Sequence, residues 1–218
     1  MVGFHECIKE ARGIPLTTRV PRLPLSFHNF AIVLERGRRV SKRVLVGSDR
    51  FAAITEAEGL GYETNILERV HKAKDSSPRK KYNKKIVKSG QAGNKNNNVD
   101  NKLHDQSSSS ETNAGPTVER WVEQAVDEIL HLKILESIVD SERPSTIVLA
   151  TGDAAEAEYS GGFLKMVERA LSKGWSIELV SFSTTTSRAY SRKEFRSKWG
   201  AKFKLIPLDR YAEHLLDL

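Results

Sequence analysis

Short apolar runs alternate with amphipathic stretches along most of this chain. Residues 43–48 (RVLVGS) and 146–150 (TIVLA) are short, rich in branched side chains and bounded by Gly, Pro or polar residues, as in strands buried on both faces of a parallel sheet. Residues 175–182 and 203–206 read the same way. A helical stretch over about 50–60 followed by a strand near 62–67 completes one βαβ unit with the first run. Val118, Trp121, Val122, Ala125, Val126, Ile129 and Leu132 recur at helical spacing and predict a long sheet-packed helix over about 118–139, opened by Pro116-Thr117 and closed before Pro144. Phe163, Met166, Val167, Ala170 and Leu171 form the stripe of another helix, which Gly174 ends. A basic aromatic helix over roughly 187–199 and a terminal helix to about Leu216 complete the pattern. The alternation predicts an α/β fold: a mostly parallel open sheet with helices on both faces.

Residues 71–117 interrupt it. They hold almost no large apolar side chains and include a Gly/Asn-rich run at 90–98 and Ser107 to Ser110, too little surface to offset the entropy of ordering. The organisation that follows is one domain in two parts, 1–70 and 118–218, with 71–117 as a basic, low-complexity, disordered insertion. Charge sharpens this division. Between His71 and Gly90, eight basic side chains (Lys72, Lys74, Arg79, Lys80, Lys81, Lys84, Lys85 and Lys88) face the single acid Asp75, which accounts for the whole formal charge of +7. The remainder is nearly neutral. Such a cluster attracts polyanions, nucleic acid first and an anionic membrane or a nuclear import receptor behind it; a solvated linker is the equal alternative. Lys80, Lys81, Lys84 and Lys85 are its candidate nucleic-acid contacts, and Pro78-Arg79-Lys80-Lys81 its candidate import signal.

Cys7 is the only cysteine, which excludes an intramolecular disulfide and suits a reducing compartment. The first ten residues lack the apolar core of a signal peptide, and no run reaches transmembrane length. A cytoplasmic or nuclear protein, not a secreted one, is the expectation.

Candidate chemistry lies at the carboxyl ends of the predicted strands, where open α/β sheets bind ligands. Three strands end in polar residues: Gly47-Ser48-Asp49, Thr151-Gly152-Asp153, and Ser181 with Ser183 to Thr186. These groups should converge. Glu156 and Glu158 follow Asp153, although acids near a helix start also favour its dipole. Glu123, Asp127 and His131 are spaced four apart and stack on one side of the long helix, either as a solvated polar column or with Asp127 aimed at Asp153. Clustered carboxylates need a proton or a hard cation between them, and oxygen ligands suit Mg²⁺ or Mn²⁺. The 187–199 stretch interleaves Arg188, Arg192, Lys193, Arg196 and Lys198 with Tyr190, Phe195 and Trp199. Phe195 and Trp199 are expected in the core, leaving Arg188 and Arg192 for phosphate contact.

Residues 13–20 (GIPLTTRV), 33–38 (VLERGR), 43–48 (RVLVGS), 121–130 (WVEQAVDEIL), 150–153 (ATGD), 157–160 (AEYS) and 167–171 (VERAL) with Gly174-Trp175 resemble fungal NYN domains, of the PIN-like ribonuclease superfamily. The resemblance spans nearly all of the chain outside the insertion. It implies a PIN-like fold and a divalent-metal-dependent ribonuclease, a hydrolase acting on RNA in processing or turnover, with Mg²⁺ or Mn²⁺ as cofactor. Residue by residue it gives Asp127 and Asp153 the catalytic, metal-holding roles, with Glu158 as an addition to the metal set. Where many such domains carry a second aspartate two residues after the Gly-Asp, this chain has Ala155. The resemblance also implies a first, central strand ending in Asp and Asn that supplies another metal carboxylate, and Met1-Val-Gly-Phe4 corresponds to the segment just after it. A shortened gene model, a degenerate paralogue and a strand supplied in trans each account for that difference, with shortening favoured. Without the strand the sheet would have a central hole, or residues 43–47 and 147–150 would have to pair directly. A catalytically inactive RNA-binding or scaffold module is the alternative function.

Overall fold

The βαβ unit forms from β1 (Val44–Gly47), α3 (Ala52–Gly59) and β2 (Glu63–Ile66), its two strands parallel with Leu45 opposite Thr64. Two helices precede it, α1 (Phe4–Ala11) and α2 (Phe27–Glu35). The computed structural model describes residues 3–21, 23–72, 120–122, 125–156 and 160–217. The start of α2 is satisfied twice over. The Ser26 side chain accepts from the Asn29 amide, and the Glu56 carboxylate of α3 accepts from the amides of Phe27 (2.7 Å) and His28 (2.9 Å). These are amides that a helix cannot pair internally.

Strand β3 (Val70–Lys72) and strand β4 (Arg120–Val122) pair as a two-stranded sheet at the ends of a separate unit spanning residues 71–122. Lys80, Lys81, Lys84 and Lys85 lie outside the described residues.

The second half of the domain contains α4 (Val126–Asp140), β5 (Thr146–Leu149), α5 (Gly162–Ser172), β6 (Ser176–Ser181), α6 (Lys193–Trp199) and β7 (Phe203–Pro207). Strands β5, β6 and β7 form one parallel sheet in that order, Leu149 facing Leu179 and Leu179 facing Leu205. Alternation along the strands separates two cores. Val180 and Phe182 pack with Phe4, Ile8, Phe27 and Phe30 from α1 and α2, and Leu45, Val148 and Ile206 approach that same cluster. Ile177 and Leu179 point the other way, into the α5 stripe of Phe163, Met166, Val167, Ala170 and Leu171 and to Ile134 of α4. The arrangement is α/β with helices on both faces of parallel strands. Each large side chain of the α5 stripe contributes about 1.5–3 kcal/mol by leaving water, so this helix is held by tertiary packing.

Of the two arrangements expected for residues 43–47 and 147–150, a gap or direct pairing, the gap is found: β1 pairs with β2, β5 pairs with β6, and β1 and β5 are not paired with each other, although Leu45 and Val148 share one core. Three expectations are corrected. The long helix starts at Val126 rather than near Val118, because residues 120–122 pair with β3 and Ala125 adopts a left-handed conformation (φ 63°) that ends the preceding run. Its buried face is also rotated, with His131 and Ile134 inside and Leu132 49 % exposed. The predicted 187–199 helix is two pieces, a 3₁₀ turn over 188–191 and then α6, separated by the extended residue Arg192 (ψ 139°). The terminal helix is a 3₁₀ segment over 209–215.

One buried charge was not anticipated. Glu178, at the middle of β6 and 8 % exposed, pairs with Arg36 and with Arg38 (2.9 Å), both in the turn that leaves α2. Burial alone would raise its pKa, but the two guanidinium groups outweigh burial and hold it below the ordinary carboxylate value.

Candidate functional site

Past β5 the chain runs through Ala150 into Thr151-Gly152-Asp153. Asp153 is exposed, and its placement is fixed from three directions. Its amide donates to Thr151 Oγ1 (3.2 Å), its Oδ1 accepts from the Ala155 amide (2.8 Å), and its carbonyl accepts from the Tyr190 hydroxyl (2.7 Å). The second carboxylate oxygen takes no hydrogen bond from the described residues. Tyr190 is fully buried, so its hydroxyl is an internal peg, and its pKa is raised by burial first and by the Asp153 charge second. The Tyr190 ring, interleaved with basic residues in the sequence, is therefore unavailable for base stacking. Inside the core Tyr190 stacks on Phe203, and Phe195 meets both rings edge-on.

Past β6 the loop over 182–187 lies against the same corner. The Ser187 amide donates to the Gly152 carbonyl (2.8 Å), and a Cβ on Gly152 would stand 2.5 Å from the Thr185 carbonyl oxygen. Only glycine permits that approach. Ala150, Thr151, Gly152 and Asp153 then line a cleft of about 450 Å³ together with Ser181, Phe182, Thr185 and Ser187. Two of the three polar strand ends thus converge. The third does not join them: Asp49 is ion-paired with Arg69 (2.7 Å) and does not line the cleft.

Asp127 stands in the first turn of α4, half-buried, and His131 one turn later is 3 % exposed. His131 is not part of a solvated column. Its Nδ1 hydrogen-bonds Ser160 Oγ (2.7 Å), its ring meets Phe163 edge-on, and its Nε2 is buried with no hydrogen-bond partner among the described residues. Burial lowers its pKa, while Asp127, Glu128 and Asp153, all acting on the ring, push the other way. Asp127 and Asp153, 26 residues apart in sequence, are therefore both within electrostatic reach of one buried histidine.

No protein-family model, no curated protein and no solved structure matches this chain.

Among the described residues, no group of three or more His, Cys, Asp or Glu side chains is arranged to hold a metal ion. Glu158 lies outside the described residues, and Glu123 does as well. Glu156, the other acid after Asp153, is exposed and reaches Lys165 (3.4 Å). Asp153 lines the cleft, and Asp127 lies in the first turn of α4 outside its lining. Arg188 and Arg192 are both exposed on the segment between β6 and α6. No helix of the described residues is long and apolar enough to cross a membrane.

The signal for His131 was present in the sequence, where it sits between Leu130 and Leu132 in an otherwise apolar turn. Nothing local marked Tyr190 as the support of Asp153, because its partner lies 37 residues away.

Proposed function

We propose that this chain is an RNA-directed, divalent-metal-dependent ribonuclease with a PIN-like fold of NYN type. The observation that carries the reading is the exposed Asp153 carboxylate, fixed by the Ala155 amide and, through its carbonyl, by Tyr190 at the wall of the cleft at the carboxyl ends of β5 and β6. Asp127 and Asp153 would hold Mg²⁺ or Mn²⁺, with Glu158 a candidate third ligand. The ion, when bound, polarises a phosphoryl oxygen and lowers the pKa of a water for attack on the phosphodiester. The chain's own contribution is positional. Tyr190 and the Asp153–Ala155 turn fix one carboxylate, α4 presents the other, and exposed Arg188 and Arg192 attract the polyanion.

The test is incubation of the full chain with end-labelled single-stranded RNA and Mn²⁺. Cleavage that chelation abolishes and Asp153→Asn removes is the expected result; cleavage that persists in Asp153→Asn, or none with the unsubstituted chain, rejects the nuclease reading. A second reading, an RNA-binding module without catalysis, is favoured by the lack of a three-ligand group among the described residues and by Ala155. That reading requires metal-independent RNA affinity unchanged by Asp153→Asn, with log K falling by roughly 0.7 per phosphate contact per log unit of salt.

A further inference from the structure

A second cleft of about 420 Å³ adjoins the first and shares Ser181 with it. Its polar lining is Ser181, Ser183, Thr184, Thr186, Arg188 and Ser191, over a floor of Leu205 and Pro207 from β7. The loop after β6 is the ridge between the two: Thr185 and Ser187 face the Asp153 side, while Ser183, Thr184, Thr186, Arg188 and Ser191 face the other.

The hydrogen bonds show what this cleft offers a ligand. Thr186 donates to the Phe182 carbonyl (2.8 Å), so the contact between Ser181 Oγ and Thr186 Oγ1 (2.7 Å) is donated by Ser181. Ser183 donates both its hydroxyl (2.9 Å) and its amide (3.1 Å) to Asp209. Three of the five hydroxyl protons are thereby committed. Thr184, Ser191 and the Arg188 guanidinium remain as exposed donors without a partner among the described residues. No aromatic side chain lines the cleft, so base stacking is not its chemistry.

An arginine with hydroxyl donors around it selects an anionic oxygen ligand. Its charge selects further. The cleft presents one cation, Arg188, to the ligand, while the Asp209 carboxylate immediately behind Ser183 repels each further negative charge, which disfavours a dianion. We propose that this cleft is a subsite for a monoanionic phosphodiester, taking a phosphate of an RNA strand that also crosses the Asp153 cleft. The identification of the strand as RNA rests on the function proposed above; the diester selectivity does not.

The decisive measurement is an amide NMR titration of the full chain with dimethyl phosphate, a minimal diester, and separately with inorganic phosphate at about pH 8, where a phosphate with its second pKa near 6 is mainly dianionic. Saturable shifts confined to residues 181–191, tighter for the diester than for the dianion and weakened about tenfold or more by Arg188→Gln, are expected. Asp153→Asn should leave them unchanged. Absence of saturation, indifference to Arg188→Gln, or tighter binding of inorganic phosphate overturns the assignment. The two proposals separate cleanly: diester binding without RNA cleavage keeps the subsite and rejects the nuclease, and Asp153-dependent cleavage without diester binding does the reverse.

Discussion

Strand β6 is buried from Ile177 to Ser181 between two parallel neighbours, whereas every residue of β1 is only half-buried and β1 is paired on one side. The two regions are stabilised by different means. Around β6, apart from the ion pairs of Glu178 with Arg36 and Arg38, the contacts are aromatic and aliphatic, with Tyr190, Phe195 and Phe203 in mutual ring contact. Around β1 and β2 ion pairs recur: Arg43 with Glu35 (2.6 Å), Lys42 with Glu136 (3.1 Å), Lys133 with Glu63 (2.7 Å) and Arg50 with Glu58 (3.3 Å). Exposed ion pairs are worth much less than buried apolar volume, so the β5–β7 region should set global stability and the β1–β2 region should open first.

The largest expected effect tests that directly. Phe203→Ala removes a fully buried ring and should cost about 3–5 kcal/mol in urea unfolding. Leu45→Ala, on a half-buried strand, should cost about half as much or less; equal losses would erase the distinction. Native-state hydrogen exchange supplies the companion measurement, with β6 amides protected up to the global limit and β1 amides exchanging through smaller openings.

Glu178 comes next, because it is the one buried charge of β6 and it ties that strand to the turn after α2. Glu178→Gln should cost roughly 1–3 kcal/mol, less than a fully buried pair because both arginines keep partial solvent access. The sign with pH is fixed by the lowered pKa: the stabilisation is present above the unfolded-state carboxylate value and is lost as pH falls through the lower folded-state value. Acid titration of stability should therefore be steeper for the unsubstituted protein than for Glu178→Gln, and parallel curves would remove this role.

Tyr190→Phe should cost about 1 kcal/mol by deleting one hydrogen bond while keeping the ring. Faster amide exchange around Asp153 would identify the hydroxyl as its support; unchanged exchange there would reduce Tyr190 to packing. The smallest effect belongs to Lys133→Ala in the β1–β2 region, a loss in urea unfolding smaller than that of any substitution above and diminished by salt.

The elements that a chain's own periodicity defines were legible beforehand. Val44 to Gly47, Thr146 to Leu149 and the five-residue stripe of α5 all follow from spacing, since each is short, apolar and bounded. What spacing could not give was pairing. Trp121 and Val122 fit helical periodicity but are strong strand formers that take β3 as a partner, which moves the start of α4 to Val126. The division between β1 and β5 depends on which edges meet, and no local pattern encodes that. The site shows the same split. Asp153 at a strand end was readable from Thr-Gly-Asp, whereas the burial of His131 and the peg from Tyr190 arise only when α4, β5 and the 188–191 turn assemble.

The contact between Gly152 and the Thr185 carbonyl reaches beyond this one chain. A lineage that acquired any side chain at position 152 would have to remodel residues 183–187 in the same step. That loop is the shared wall of both clefts, so the two cavities would be inherited or lost together. Covariation between position 152 and the loop is the evolutionary trace such a coupling leaves.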